Sequence, residues 1–536
     1  MRDQYQDQIL GFAFKLSRKT PTELNKLASE LDELIFAIRI SIIASDDTNE
    51  IKMYMDDLIL LYKMIAQTRD ITNGKGERDL TYMMCYTWHN YFPLLALNAI
   101  QSLASDAYMG SWKDIKYMCE YIREHSPKST EDEFIQQCVE ILNQQFIQDI
   151  IDKSQNRPIS FVSKWIPREK SPKFGWLYEK CVHQWSIQMH PEYFYPSQTH
   201  VQREKAINKC KREYRILLSQ FNKWLDTPQI YECAQKWSEI DPIKISQHTL
   251  HKQYHALLNQ DIYGYLRNQD KDRLSCRETF LKYQYPPNSS QNNTSSSFQM
   301  EDLVKIVEKG TNMEHLYSQW EKVKNAFPQK TEYIFPLLDL STKNSLNAMA
   351  ISLMLSEISK CPDKILAYDQ TCDWISLSQT PLFLDKIYML QQLKQTRGTE
   401  TSNIYAVFDF IMEALKQTEM KPEEVKNIVF VVISDYSNKT EDLHDYIEKF
   451  FRKNGYDHLP QMVYWNVSMQ HQTYIPCKYN TPRTLLLSGT SSSTFQFLKC
   501  PEWKNYTPYE YLCYTLDQDK YKYMEGVIHE LLEPDI

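Results

Sequence analysis

The hydrophobic rhythm of this chain changes near Tyr333, and that change constrains the fold more than any other feature. Before it, apolar residues recur at helical spacing: Leu24, Leu27, Leu31, Leu34 and Ile35, then Met55, Leu58, Tyr62 and Ile65. Punctuating segments fall at 72–76, 109–111, 126–127 and 241–242. Only 11 glycines occur in 536 residues, which suits stacked helices better than a β-rich fold. No fixed period repeats, so the array is expected to be irregular. After Tyr333, short apolar runs at 334–340, 365–368, 428–433, 462–466 and 485–487 read as strands. Helical patterns at 345–359, 403–417 and 441–453 fall between them. This alternation predicts a doubly wound parallel sheet covered on both faces, with ligands at the carboxyl ends of its strands. The expected class is therefore multidomain, α followed by α/β. The expected order is a helical domain (1–285), a Ser/Asn-rich flexible loop (286–298), a helical connector (299–332) and an α/β domain (333–536).

Composition narrows the function classes. No apolar run reaches the ~20 residues that span a bilayer, and Arg2, Asp3, Gln4 and Gln6 leave no apolar secretory stretch at the start. Twelve cysteines lie scattered without a framework, which predicts reduced thiols and a cytoplasmic location. A net charge of −8 argues against coating nucleic acid with the whole surface, and no DNA or membrane partner is expected. Residues 151–215 depart from that balance, with thirteen Lys and Arg against six Asp and Glu, a local +7. Within this island Lys205, Lys209 and Arg212 share a helix face, and Lys164 and Arg168 precede them. These five are the candidate RNA-binding residues, cations suited to phosphates. The alternative is a solvated face neutralised by Glu204 and Glu213.

A second constellation is Asp339-Leu340-Ser341-Thr342-Lys343, directly after the first strand. A carboxylate and hydroxyls on one loop supply oxygen ligands for a hard cation such as Mg²⁺. Thr399, in Gly398-Thr399-Glu400-Thr401, and Asp435, at the end of a later strand, complete the candidate metal set of Asp339, Ser341, Thr399 and Asp435. Thr401 or Ser402 are the alternatives to Thr399. Lys343 follows two residues after Ser341 on the same loop. Its ammonium is expected near Asp339 or Asp435, leaving the site weak or empty.

Strands ending in Asp-x-Ser-x-Ser open the metal-ion-dependent adhesion site of von Willebrand A domains, so the C-terminal part resembles such a domain with a degenerate site. The helical part carries 68–79 (TRDITNGKGERD), Gly110-Ser111-Trp112-Lys113-Asp114, 163–169 (SKWIPRE) and 236–242 (KWSEIDP). Together these resemble a largely uncharacterised TROVE-like family found in giant viruses, bacteria, fungi and plants, distantly related to the Ro autoantigen. The resemblance implies a HEAT-like helical array joined to a von Willebrand A domain. It also implies binding of structured or misfolded RNA by the helices. The alternative is a protein-interaction scaffold that grips a partner through the A-type domain.

Other motifs point nowhere sharper. Gly74-Lys75-Gly76 lacks phosphate-loop spacing and does not follow a strand, so a tight helix–helix turn is expected. Trp112, Trp165 and Trp237 read as packing anchors, with stacking on unpaired bases as the alternative. His248, His251 and His255 share a helix face but lack an obvious fourth ligand. No nucleophile elbow, zinc-protease or kinase pattern occurs, and a non-enzymatic protein is expected.

Overall fold

The computed structural model describes residues 2–106, 109–195, 199–245, 247–261, 263–284, 300, 307, 313–328, 330–397, 401–437, 443–500 and 502–532. It divides into two compact units, one of Met1–Leu95 with Ser297–Ile536 and one of Ala96–Ser296. This division cuts across the boundary read from the sequence, because the first 95 residues go with the sheet rather than with the helices that follow them. The expected flexible loop and most of the connector before Met313 lie outside the described residues.

The sheet has six strands: β1 (Tyr333–Asp339), β2 (Lys364–Tyr368), β3 (Cys372–Ser376), β4 (Ile428–Ser434), β5 (Gln461–Asn466) and β6 (Thr484–Ser488). Their order is β3-β2-β1-β4-β5-β6. All neighbours are parallel except β3, which runs antiparallel to β2 at the edge. Five strands follow the apolar runs of the sequence. β3 was not anticipated, because a half-exposed edge strand carries no such run. Alternation sorts the strands between two cores. Ile334, Val431, Ile433, Val463 and Trp465 face one, with the helices Ser345–Ile358 and Phe383–Arg397. Leu337, Phe430, Val432, Met462 and Tyr464 face the other, with Ile404–Gln417 and Leu443–Lys453. Among the described residues no helix is long and apolar enough to cross a membrane. None of the twelve cysteines is in a disulfide.

Polar groups at the carboxyl ends of β5 and β6 explain why the N-terminal helices join this unit. Asn466 Nδ2 donates to the Phe14 carbonyl at 2.8 Å. Lys19 Nζ donates to the carbonyls of Ser468 and Gln470 at 2.9 and 2.8 Å, and Lys75 Nζ donates to that of Leu16 at 2.7 Å. Burial brings both lysines down to about 7. The 70–76 turn is thus a tether to the sheet as well as the helix–helix connection expected. Ser491 Oγ donates to the Gly74 carbonyl at 3.2 Å. A Cβ at Gly74 would stand 2.0 Å from the Gln67 carbonyl oxygen, a clash with backbone that no rotamer relieves. Gly74→Ala is therefore expected to lower the melting temperature of the purified chain, whereas Gly526→Ala, with nothing near its Cβ position, should leave it within a degree or so.

In the other unit, the helices Lys113–His125, Glu133–Ser154, Gly175–Met189 and His200–Trp224 pack each on the next. A buried polar chain ties three of them. Asn143 Nδ2 donates to the Cys181 carbonyl at 2.8 Å, and Tyr214 Oη donates to Asn143 Oδ1 at 2.7 Å. Helices and short turns account for the described residues here, apart from one isolated bridge between Gln260 and Leu266.

Candidate functional site

Two clusters carry the residues singled out by sequence, one in each unit. In the helical unit the candidates separate. Lys205, Lys209 and Arg212 stand exposed on His200–Trp224. The Lys209 ammonium donates to Tyr193 Oη at 3.4 Å. Of the expected neutralisers, Glu213 lies 3.3 Å from His190 and also acts through its charge on the Lys209 ammonium. Glu169 and Glu179 instead neutralise Lys211, and Glu169 also meets Arg215.

Lys164 and Arg168 belong to a different assembly that sequence reading found only in part. Lys113, Lys116 and Tyr117 occupy one face of Lys113–His125 at i, i+3 and i+4, while Ile115, Met118, Cys119 and Ile122 are buried. Trp165 ends the short helix Val162–Trp165, and Lys173-Phe174 leads into Gly175–Met189. These elements bring ring faces and ammonium groups together. Lys116 Nζ lies 5.1 Å from the Trp165 ring centroid, 5.3 Å from Tyr117 and 4.8 Å from Phe174. Lys113 lies 5.1 Å from Tyr117 and 5.5 Å from Trp165. Lys164 lies 5.6 Å from Trp165, and Lys173 lies 5.6 and 5.5 Å from Tyr117 and Phe174. Such contacts favour the cation by roughly 0.5–2 kcal/mol each, more where water is excluded.

Lys173 reaches Glu120 at 3.6 Å, but no carboxylate of the described residues lies within ion-pair distance of Lys116, Lys164 or Arg168. Lys116 is lowered to about 8, first by burial and then by the like charges of Lys113, Arg168 and Lys173. Burial also lowers Lys164, against the attraction of Glu232. The signal available in sequence was the pair of lysines three apart beside Trp112, facing the Lys-Trp dipeptide at 164–165. Of the other tryptophans, Trp112 is buried as a packing anchor, and Trp237 carries the Arg273 guanidinium 3.6 Å over its ring. The side chains of His248 and His251 lie outside the described residues, and His255 is lowered by burial.

In the sheet unit, the ladder places Asp339 and Ser434 at neighbouring strand ends, since Leu338 pairs with Ile433. Asp339 is 3% exposed. Its Oδ1 accepts the Ser341 amide at 2.9 Å and the Ser341 hydroxyl at 2.7 Å. Its Oδ2 accepts Ser434 Oγ at 2.6 Å and Ser402 Oγ at 3.1 Å. Burial pushes the Asp339 carboxyl above its usual range; the Ser434 and Ser341 hydrogen bonds oppose that, and the Asp435 charge adds to it. Asp435, 5% exposed, accepts the Lys343 amide at 3.3 Å and the Ser437 amide at 3.4 Å.

Asp339, Ser341 and Asp435 are thus gathered as expected. Thr399 lies outside the described residues, and the hydroxyl that reaches Asp339 from that loop is Ser402, one of the alternatives to Thr399. Asn403 sets its position by capping Ile404–Gln417 and by donating its amide to the Asp369 carbonyl at 2.8 Å. The Lys343 expectation needs correction. Only its backbone amide meets Asp435; its side chain is exposed, where water solvates the ammonium, and no carboxylate of the described residues lies within ion-pair distance of it. A different lysine, Lys394, donates to the Thr342 carbonyl at 2.7 Å. Residues so arranged fit a resident divalent ion poorly. Mg²⁺ requires about six oxygens, and Lys394 brings an ammonium to the loop that carries these residues.

A family described as a domain of unknown function (DUF7788) matches residues 336–510, a span that includes Asp339, Ser341, Lys394, Ser402, Ser434 and Asp435. No curated protein matches the chain.

Proposed function

We propose that this chain is a non-catalytic RNA-binding protein whose helical unit holds the phosphate backbone of structured or misfolded RNA. The sheet unit is read as a von Willebrand A domain and the whole as TROVE-like. The observation that carries the reading is the pair Lys116 and Lys164 over Trp165, half-buried cations held by a ring face, with the exposed charges of Arg168 and Lys173 beside Lys116. A polyanion supplies the missing negative charge, and the counterions it releases add to affinity. The exposed face of Lys205, Lys209 and Arg212 is read as a second, separate contact for phosphate.

Titration of a fluorescent structured RNA with the full chain, by anisotropy, tests this reading. Lys116 is at about 8 when free, and phosphate raises it, so binding takes up a proton. Affinity should fall as pH climbs from 7 to 9, where ordinary lysines remain charged. Lys116→Arg should flatten that decline. No binding at low salt, or binding that is indifferent to salt between 50 and 200 mM, would reject the proposal.

A further inference from the structure

The helix Phe383–Arg397 carries one stripe at positions 383, 387, 390, 394 and 397. Its first three members, Phe383, Ile387 and Leu390, are buried in the core beside the sheet. As the stripe approaches the carboxyl ends of the strands its chemistry switches to Lys394 and Arg397. Arg397 meets Asp373 and lies 3.8 Å from Asp369. Lys394 has a different seat. Its acceptor is the carbonyl of Thr342, the residue between the two whose amides hold the carboxylates. Ser341 N donates to Asp339, and Lys343 N donates to Asp435.

From this geometry we infer that Lys394 is the resident cation of the strand-end site, so that the pair Asp339 and Asp435 is balanced by a side chain of the protein and works without a divalent metal. Two buried carboxylates at neighbouring strand ends repel each other, and each hydroxyl donor around Asp339 supplies only a partial charge. An ammonium anchored on the connecting loop supplies a full one. Burial disfavours the Lys394 ammonium and brings it below its ordinary range, and the charges of Asp339 and Asp435 oppose that. Ion pairs from Lys386 to Glu357 at 2.7 Å and to Asp363 at 2.8 Å fix the first half of the same helix and hold its far end in register. The inference does not depend on RNA binding by the other unit.

Thermal melting of the full chain with Mg²⁺, with Mn²⁺ and with EDTA tests it. The wild-type transition should be the same in all three. Lys394→Met should melt lower than wild type and regain stability as Mg²⁺ or Mn²⁺ is added, since the ion then has a charge to replace. Lys394→Arg should stay indifferent to metal. A wild-type transition that rises with Mg²⁺, or stoichiometric Mn²⁺ binding by the wild type in calorimetry, would overturn the inference. So would a Lys394→Met chain that keeps wild-type stability and ignores metal. Should Lys394→Met fail to fold, the wild-type calorimetry decides by itself.

Discussion

Removing two charges, in the double variant Lys116→Gln and Lys164→Gln, is expected to weaken RNA binding by roughly tenfold or more at physiological salt and to lower the salt slope by about 2. Both lysines lie over Trp165, and neither has a carboxylate within ion-pair distance among the described residues. Their charge is therefore available to phosphate. Burial makes it more valuable there, because less water screens it. Glutamine keeps most of the side-chain stem over the ring, so folding should be little affected. In free Lys116 the ammonium is already disfavoured, which makes its removal less costly to the fold than to the complex. Charge reversal at Lys205, Lys209 and Arg212 should have a smaller effect per residue, since those cations are exposed and strongly hydrated. An unchanged Kd in the double variant, with an unchanged melting curve, would place the RNA elsewhere.

The second large effect is on stability. Asp70 ends the helix Thr48–Arg69 and is 1% exposed. Its Oδ1 accepts the amides of Thr72 and Asn73, both at 2.8 Å. Its Oδ2 accepts Lys520 Nζ at 2.7 Å and Tyr521 Oη at 2.8 Å. One carboxylate thereby shapes the turn that presents Gly74 and Lys75 to the sheet and clamps the C-terminal helical segment. Asp70→Ala leaves four donors without this acceptor, one of them an ammonium in a mostly enclosed site. Removing one partner of such a buried pair costs about 3–5 kcal/mol. The denaturant midpoint of the unit should fall accordingly, while Tyr521→Phe should cost only about 1 kcal/mol. A loss below about 1 kcal/mol for Asp70→Ala would mean that water replaces the carboxylate and that the clamp is not what joins these segments.

How far the structure could be read from sequence depends on the kind of information each part needed. β1, β2, β4, β5 and β6 were legible because strands covered on both faces are unbroken apolar runs, whereas half-exposed edge strand β3 mixes Cys372, Asp373, Trp374, Ile375 and Ser376 without such a run. The partnership of residues 1–95 with the sheet was not legible. Their helices carry ordinary apolar stripes, and a stripe does not say which surface it will cover. Asp70, Lys19 and Lys75 acquire meaning only when Lys520, Ser468 and Leu16 are brought to them. At the strand ends, Asp339, Ser341 and Asp435 could be found because carboxylates and hydroxyls directly after strands are a local pattern. Lys394 could not, since it arrives from a neighbouring helix. The available clue was the continuation of an apolar stripe into Lys394 and Arg397. Lys343 misled because adjacency in sequence was taken for proximity of the ammonium.

Ultraviolet crosslinking of the full chain to a structured RNA, followed by mapping of the modified peptides, tests the central claim most directly. Nucleobases beside Trp165, Tyr117 and Phe174 should leave adducts on peptides covering 113–117 and 161–174, competed by unlabelled RNA and suppressed by the Lys116→Gln and Lys164→Gln double variant. Adducts confined to the sheet unit, or none on these two segments at saturating RNA, would contradict it.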